Sequence, residues 1–281
     1  MTTYIIGLGL IGGSFALSLR DNNLSDRFIG YDASKENMQR ALELGIIDQA
    51  VERLEDGVEI SDLIVLATPV DITPTLAIKL LNRVRPDQTI IDMGSIKEEL
   101  CEMISQHRNR TRFVATHPMW GTENSGPNAA EHGAFKGRTV VICEKEQSAP
   151  AAAELVEHIY TTIGMPIIYI NAEEHDLHVA YISHISHITS FALALTVLEK
   201  EREDQHIFAL AGGGFESTVR LAKSAASTWI PILMRNKYNV LDVLREHIHQ
   251  LQVMRKALES DDKAALIGMM ERANSIKKII A

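Results

Sequence analysis

Hydrophobic positions follow two regimes along the 281 residues of the chain. Up to residue 170, short apolar runs recur at 4–6, 28–32, 63–69, 89–95, 113–118, 138–143 and 167–170. Amphipathic stretches such as 35–44, 72–82 and 97–107 separate most of them. Strands apolar on both sides are buried on both faces, and their alternation with helices predicts a parallel sheet covered by helices. From Ala172 onward the strand-like runs cease and helical periodicity takes over. Residues 173–199 form one long candidate helix, apolar on more than one face, which needs cover inside a domain or against another subunit. Residues 207–211 lead to a break at Gly212-Gly213-Gly214, and helices are expected at 215–227, 229–236, 240–259 and 262–279. The fold class is therefore α/β: a parallel-sheet domain at 1–171, then an all-helical domain at 172–281 that dimerises. A cleft between two such domains is the expected place for a ligand.

The first apolar run ends in Gly7-Leu8-Gly9-Leu10-Ile11-Gly12, a Gly-x-Gly-x-x-Gly turn. Gly7 permits the sharp turn, Gly9 leaves room for a pyrophosphate, and Gly12 lets the following helix pack on the strand. The N–H groups of the helix start, at Leu10 and Ile11, favour an anion. The second run ends in Asp32, about 20 residues past the last glycine, where an acid accepts hydrogen bonds from ribose hydroxyls and repels a 2′-phosphate. That favours NAD over NADP, with Lys35 the one nearby cation. The N-terminal half thus reads as Rossmann-type, with the Thr68-Pro69 turn after the third strand beside the cofactor.

Composition narrows the function further. With 46% apolar and 23% charged residues the chain has the make-up of a globular protein. A net charge of −9 argues against nucleic-acid binding, which needs a basic face. Cys101 and Cys143 form no disulfide framework or metal motif and suit a reducing cytoplasm. No signal peptide and no run of 18 apolar residues is found, so no membrane partner is expected.

In an open α/β sheet, ligands lie beyond the carboxyl ends of the strands. Ser95 and His117 stand at the ends of the fourth and fifth runs, so both are expected at the nicotinamide end. Oxidation of an alcohol removes a hydride from carbon and a proton from oxygen, and a histidine suits the proton step. His117 is the candidate base. Ser95 could bond the imidazole or the substrate oxygen, or cap the next helix. His184 and His187 share a face of the long helix. No zinc-enzyme constellation accompanies them, and His187 is open to substrate contact or a structural role. Arg220 stands among apolar neighbours, and arginine is the best bidentate carboxylate binder, so an anionic substrate is expected.

These motifs together resemble the prephenate/arogenate dehydrogenase family of tyrosine biosynthesis over nearly the whole chain. They are the glycine turn, Asp-x-Gly-Ser-x-Lys at 92–97, His-Pro-Met-x-Gly-x-Glu-x-Ser-Gly at 117–126, Ser-His-x-x-His at 183–187, and Gly-Gly-Gly-Phe…Arg-x-Ala at 212–222. The resemblance implies an NAD-dependent oxidative decarboxylation of prephenate, or of arogenate, by a homodimer. His117 would take the hydroxyl proton, Ser95 would orient His117 or the hydroxyl, Arg220 would bind a carboxylate, and His187 would contact substrate. Glu123 would pair with the arginine and gate the pocket. The chain departs from the family at Glu216, Ser217 and Lys223, beside the substrate pocket. With no regulatory or mutase segment read in it, a monofunctional enzyme is expected. Other two-domain dehydrogenases, such as 3-hydroxyacid dehydrogenases and imine reductases, use a lysine or aspartate on the long helix, but no lysine occurs between Ala172 and Leu198. A non-catalytic NAD sensor is disfavoured by the intact His117, Ser95 and Arg220 set.

Overall fold

The computed structural model describes residues 1–202 and 206–279, which form two compact units, Met1–Asn236 and Lys237–Ala281. The first unit begins with β1 (Thr2–Ile6), α1 (Leu10–Asp21), β2 (Arg27–Tyr31), α2 (Lys35–Glu43), β3 (Gln49–Ala50) and α3 (Leu54–Glu59). It continues with β4 (Leu63–Leu66), α4 (Thr73–Leu81), β5 (Thr89–Asp92), α5 (Glu98–Ile104) and β6 (Phe113–Pro118). β7 (Val140–Cys143), α6 (Pro150–Ile163) and β8 (Ile167–Ile170) complete the sheet. The strand order is β3-β2-β1-β4-β5-β6-β7-β8. β1 through β6 are parallel, so the order reverses between β1 and β4 and opens a crevice there.

Alternating side chains of β1 feed two cores. Ile5 packs with Phe15, Phe28 and Tyr160 on the α1/α6 face, while Tyr4 and Ile6 pack with Val58, Leu80 and Ile104 on the α3/α4/α5 face. The Tyr4 hydroxyl donates to the Leu54 carbonyl at 2.9 Å, so its polar tip is satisfied inside the core.

The sheet departs from the all-parallel expectation at one strand. β7 runs antiparallel to β6, and β8 runs parallel to β7. All four residues of β7 are buried, and an apolar run reads alike in either direction. Residues 119–139 hold no α-helix, and without a crossover helix the chain returns antiparallel.

No strand follows β8 among the described residues. α7 (Ala172–Val179), a π-helical turn at Ala180–His184, and α8 (Ile185–Glu201) form one continuous 30-residue helix. Asn171 caps it by accepting from the Glu174 N–H at 2.7 Å. By length and composition this helix could cross a membrane, with mean hydropathy 1.3 over its most apolar stretch, yet only 11% of that stretch is buried. Most of its apolar surface is therefore left uncovered among the described residues. α9 (Gly213–Val219) begins inside the glycine triplet rather than after it, with Gly212 at its N-cap. A 3₁₀ turn at Arg220–Lys223 then separates it from α10 (Ala226–Arg235), so the helix expected over 215–227 is broken at Arg220. The second unit contains α11 (Lys237–Glu259) and α12 (Lys263–Asn274), with Asp262 capping α12 through the Ala265 N–H at 2.9 Å.

Candidate active site

The crevice between β1 and β4 is built by the glycine turn. Gly7 has φ +96°, and a Cβ there would lie 2.3 Å from the Ala67 carbonyl oxygen at the end of β4. A Cβ on Gly12 would lie 2.0 Å from the Gly7 carbonyl oxygen, so the helix can approach its own turn only as glycine. Gly9 is different: nothing lies within 4 Å of the space a Cβ would fill. α1 starts there with no capping side chain and no acid in its first turn. Its N-terminus, with Leu10 and Ile11, thus presents backbone N–H groups and a positive dipole end toward open space. Asp32 sits one residue past β2, its Oδ2 accepting from the Leu8 N–H at 2.8 Å and its Oδ1 from the Ser34 N–H at 2.9 Å. Across the crevice, Thr73 binds the Thr68-Pro69 turn: its hydroxyl lies 2.8 Å from the Thr68 hydroxyl and donates to the Pro69 carbonyl at 3.0 Å. An open glycine, an uncapped helix start and an acid after β2 fit a dinucleotide.

The fourth strand ends in a buried ion pair. Lys97 and Asp92 are both fully buried, and Lys97 Nζ donates to Asp92 Oδ2. That carboxylate also accepts from the Gly94 and Thr116 N–H groups at 3.0 and 3.1 Å, which ties the 92–97 turn to β6. Asp176 of α7 accepts from the backbone N–H groups of Lys97 and Glu98 at 2.8 and 2.9 Å. Asp176 therefore caps α5, a role the sequence suggested for Ser95. Ser95 is half-buried, and its hydroxyl has no partner among the described residues.

His117, next to last in β6, is 9% exposed. Its Nδ1 lies 2.8 Å from His175 Nε2, so its orienting partner is His175 of α7 and not Ser95. Burial, reinforced by His175, Lys97 and His184, pushes the His117 pKa well below the ordinary imidazole value. Burial thus favours the neutral form of the His117 ring at physiological pH. His184 is also buried, which pushes its pKa down to about 4. Asn236 holds His184 by a 3.2 Å contact to Nδ1 and donates to the Asp176 carbonyl at 2.6 Å.

His187 is half-buried and stacks on Trp229 with ring centroids 3.4 Å apart. Its Nδ1 lies 3.1 Å from the Ser183 carbonyl oxygen, which fixes that nitrogen as the donor. Burial lowers its pKa, and the Arg220 charge lowers it further, so the two side chains share one neighbourhood. Arg220 Nη1 lies 3.3 Å from Glu123 Oε2. Ser190 pins the Arg220 turn to α8, donating to the Thr218 carbonyl and accepting from the Ala222 N–H, both at 3.0 Å. The loop bearing Glu123 is tied to α1, where Ser14 Oγ accepts from the Glu131 N–H at 2.9 Å. The helical stretch thereby brings His187, Arg220 and, through Glu123, the cofactor helix into one connected region.

Sequence reasoning missed His175, Asp176, Trp229 and Ser190. Glu173-Glu174-His175-Asp176 reads as the polar first turn of a solvated helix, and Trp229 as a core aromatic. The one local signal was the Ser183-His184 segment, where the π-helical turn falls, since such turns gather at functional sites.

Comparison with known proteins finds matches to both parts of the chain. Residues 15–169 match the family domain described as "Prephenate dehydrogenase, nucleotide-binding domain", and residues 171–272 match "Prephenate dehydrogenase, dimerization domain". The chain is 30% identical to a prephenate dehydrogenase of Bacillus subtilis over 98% of its own length and 75% of that protein. It is 29% identical to a cyclohexadienyl dehydrogenase of Zymomonas mobilis, over 92% of this chain and 88% of that one. A solved prephenate dehydrogenase from Aquifex aeolicus, in complex with hydroxyphenyl propionate and NAD+, superposes with a TM-score of 0.91 at 28% identity, covering 100% of this chain and 98% of that one.

Proposed function

The chain belongs to the prephenate dehydrogenase family, and from that premise we propose that it oxidatively decarboxylates prephenate to 4-hydroxyphenylpyruvate. When bound, NAD supplies the nicotinamide that accepts the hydride from the carbon bearing the substrate hydroxyl. Gly7, Gly9 and Gly12 with the N–H groups of Leu10 and Ile11 would hold its pyrophosphate, Asp32 would hold its ribose, and Thr68-Pro69 would border the nicotinamide end. The observation that carries the reading is a buried His117 near the end of β6, in the same sheet whose first strand ends in the glycine turn, with burial holding its pKa well below the ordinary imidazole value.

His117 takes the hydroxyl proton as the hydride leaves. The ring carboxylate then departs as carbon dioxide, its bonding pair enters the ring, and His117 returns the proton to the phenolic oxygen of the aromatised product. Ser95 donates to or accepts from the substrate oxygen. Arg220 binds a substrate carboxylate, Glu123 holds the guanidinium until that anion arrives, and His187 contacts substrate through the ring nitrogen that Ser183 leaves free. The name of the Zymomonas relative, a cyclohexadienyl dehydrogenase, keeps arogenate as a second substrate, which would give tyrosine directly. The sparsely buried helix Ala172–Glu201 supports a homodimer formed through residues 172–281. The two free, buried cysteines suit a cytoplasmic enzyme.

The test is NADH formation with prephenate, arogenate and a simple 3-hydroxyacid in parallel, each with NAD and with NADP. Prephenate with NAD is expected to give the highest kcat/KM. No turnover of either cyclohexadiene would sink the reading.

A further inference from the structure

Asp176 Oδ1 lies 2.7 Å from His175 Nδ1, and His175 Nε2 lies 2.8 Å from His117 Nδ1. His175 is 0% exposed, Asp176 1% and His117 9%, so water cannot scramble the chain of bonds. Its polarity follows from proton counting. A carboxylate has no proton to give, so His175 carries its proton on Nδ1. A neutral imidazole has only one, so His175 Nε2 is an acceptor, and His117 must donate from Nδ1. His117 Nε2 is then left with a bare lone pair, and it has no hydrogen-bond partner among the described residues.

We propose that His175 and Asp176 are positioning residues that lock His117 in the Nδ1–H tautomer, so that Nε2 is the atom that takes the substrate's hydroxyl proton. This rests on the function proposed above. The lock holds only while His175 is neutral: protonated, it would donate from Nε2 and drive the His117 proton onto the catalytic nitrogen. Burial pushes the His175 pKa down despite the pull of Asp176. The other charged or titratable groups facing the pair are Lys97 and His184 toward His117, and Lys97 and Asp92 toward His175. Lys97 opposes protonation of either ring. Once His117 has taken the proton, its Nδ1–H still points to His175, whose own N–H points to the Asp176 charge. The imidazolium is therefore stabilised while it exists.

The full-length protein labelled with ¹⁵N-histidine tests this without substrate. Imidazole nitrogen shifts near neutral pH, with the His117 ring identified by its loss in His117→Asn, should show protonated Nδ1 and unprotonated Nε2. A His117 found as the Nε2–H tautomer, or charged, overturns the proposal. Two variants extend the test, because glutamine keeps an acceptor where His175 Nε2 stands and leucine does not. His175→Leu should lower kcat about 100-fold, within the roughly 10²- to 10⁴-fold that a positioned base contributes, with KM values nearly unchanged. His175→Gln should recover most of that loss. A folded His175→Gln as slow as the leucine variant, or a loss confined to KM, also overturns it. If His175→Leu does not fold, the wild-type tautomer decides. Absence of cyclohexadiene turnover refutes the proposed function and leaves the tautomer measurement standing alone.

Discussion

Arg220 Nη1 lies 3.3 Å from Glu123 Oε2, which joins the turn after α9 to the loop after β6. Both side chains keep solvent contact, at 52% and 29% exposure, so the pair is weak and yields readily to a better anion. Arg220→Ala should therefore act on substrate binding. Loss of a hydrogen bond between charged groups is worth about 1.5–3 kcal/mol, or roughly a 10- to 150-fold rise in KM, with kcat changed much less. Glu123→Gln should move KM by less than about tenfold, as a weak competitor of the substrate would. Steady-state kinetics on the two variants checks this, and an Arg220→Ala effect confined to kcat would remove Arg220 from the carboxylate site.

The Asp92–Lys97 pair is also a stability element. Both groups are fully buried, so removing the cation strands a carboxylate in the core. Lys97→Met should cost about 3–5 kcal/mol of unfolding free energy, and Asp92→Asn added to it should restore a large part. Urea unfolding of the single and double variants reads both. A single variant as stable as wild type would mean the pair is dispensable.

Stability should also fall as pH drops from 7 toward 5. Burial lowers the pKa of His117, His175 and His184 in the folded state. Above the unfolded value of about 6.5, neither state holds these protons and the rings are neutral in the balance. Below it, the unfolded chain takes up protons that the native rings refuse, so stability is lost with a slope approaching about 1.4 kcal/mol per pH unit for each ring. For His184 that loss extends down to about pH 4, its folded-state value. Denaturant unfolding at several pH values measures the slope, and a flat profile from pH 7 to 5 would contradict it. By the same shifts, the acidic limb of kcat/KM should lie below pH 6.5, under the control of His117 and the His175, Lys97 and His184 groups that face it.

How far the sequence could be read depended on whether each feature was local. The glycine turn, Asp32 and the strand ends at Ser95 and His117 are local patterns, and the structure puts the turn between β1 and β4, Asp32 one residue past β2, Ser95 after β5 and His117 near the end of β6. The direction of β7 was not legible, because Val140–Cys143 is apolar at every position and carries no mark of orientation. β3, with two residues, is too short to have a period. His175 and Asp176 follow two glutamates and look solvated, yet the packing of α7 on α5 buries both. No reading of neighbours along the chain supplies that contact. Ser95 was read as a cap or an orienting group because its local context fits both roles, while Asp176 and His175 fill them from 79 and 58 residues away along the chain.

Asp32 should set the choice of cofactor. Its carboxylate is fixed at the glycine turn by the Leu8 N–H at 2.8 Å, so it is already in place for ribose hydroxyls. Asp32→Asn keeps the shape and removes the charge. It should raise KM for NAD by roughly tenfold or more, from loss of a charged hydrogen bond, and raise kcat/KM for NADP relative to NAD. An unchanged preference for NAD would place the discrimination elsewhere.

The three motif glycines should separate folding from cofactor binding. At Gly12 a methyl group would meet the Gly7 carbonyl oxygen at 2.0 Å, so Gly12→Ala forces α1 away from β1 and should lower the unfolding midpoint markedly. At Gly9 the backbone is extended, φ −81° and ψ −161°, and nothing lies within 4 Å of the added carbon. Gly9→Val should therefore leave stability within about 1 kcal/mol of wild type, in the range of an unstrained surface change. Its side chain would nonetheless fill the open space at the start of α1 that we assign to the pyrophosphate, and NAD affinity should fall by 100-fold or more, on the order of 3 kcal/mol. Thermal unfolding and NAD titration on the two variants give the comparison. Equal loss of stability at both positions would show that the open space at Gly9 belongs to the fold and not to the cofactor.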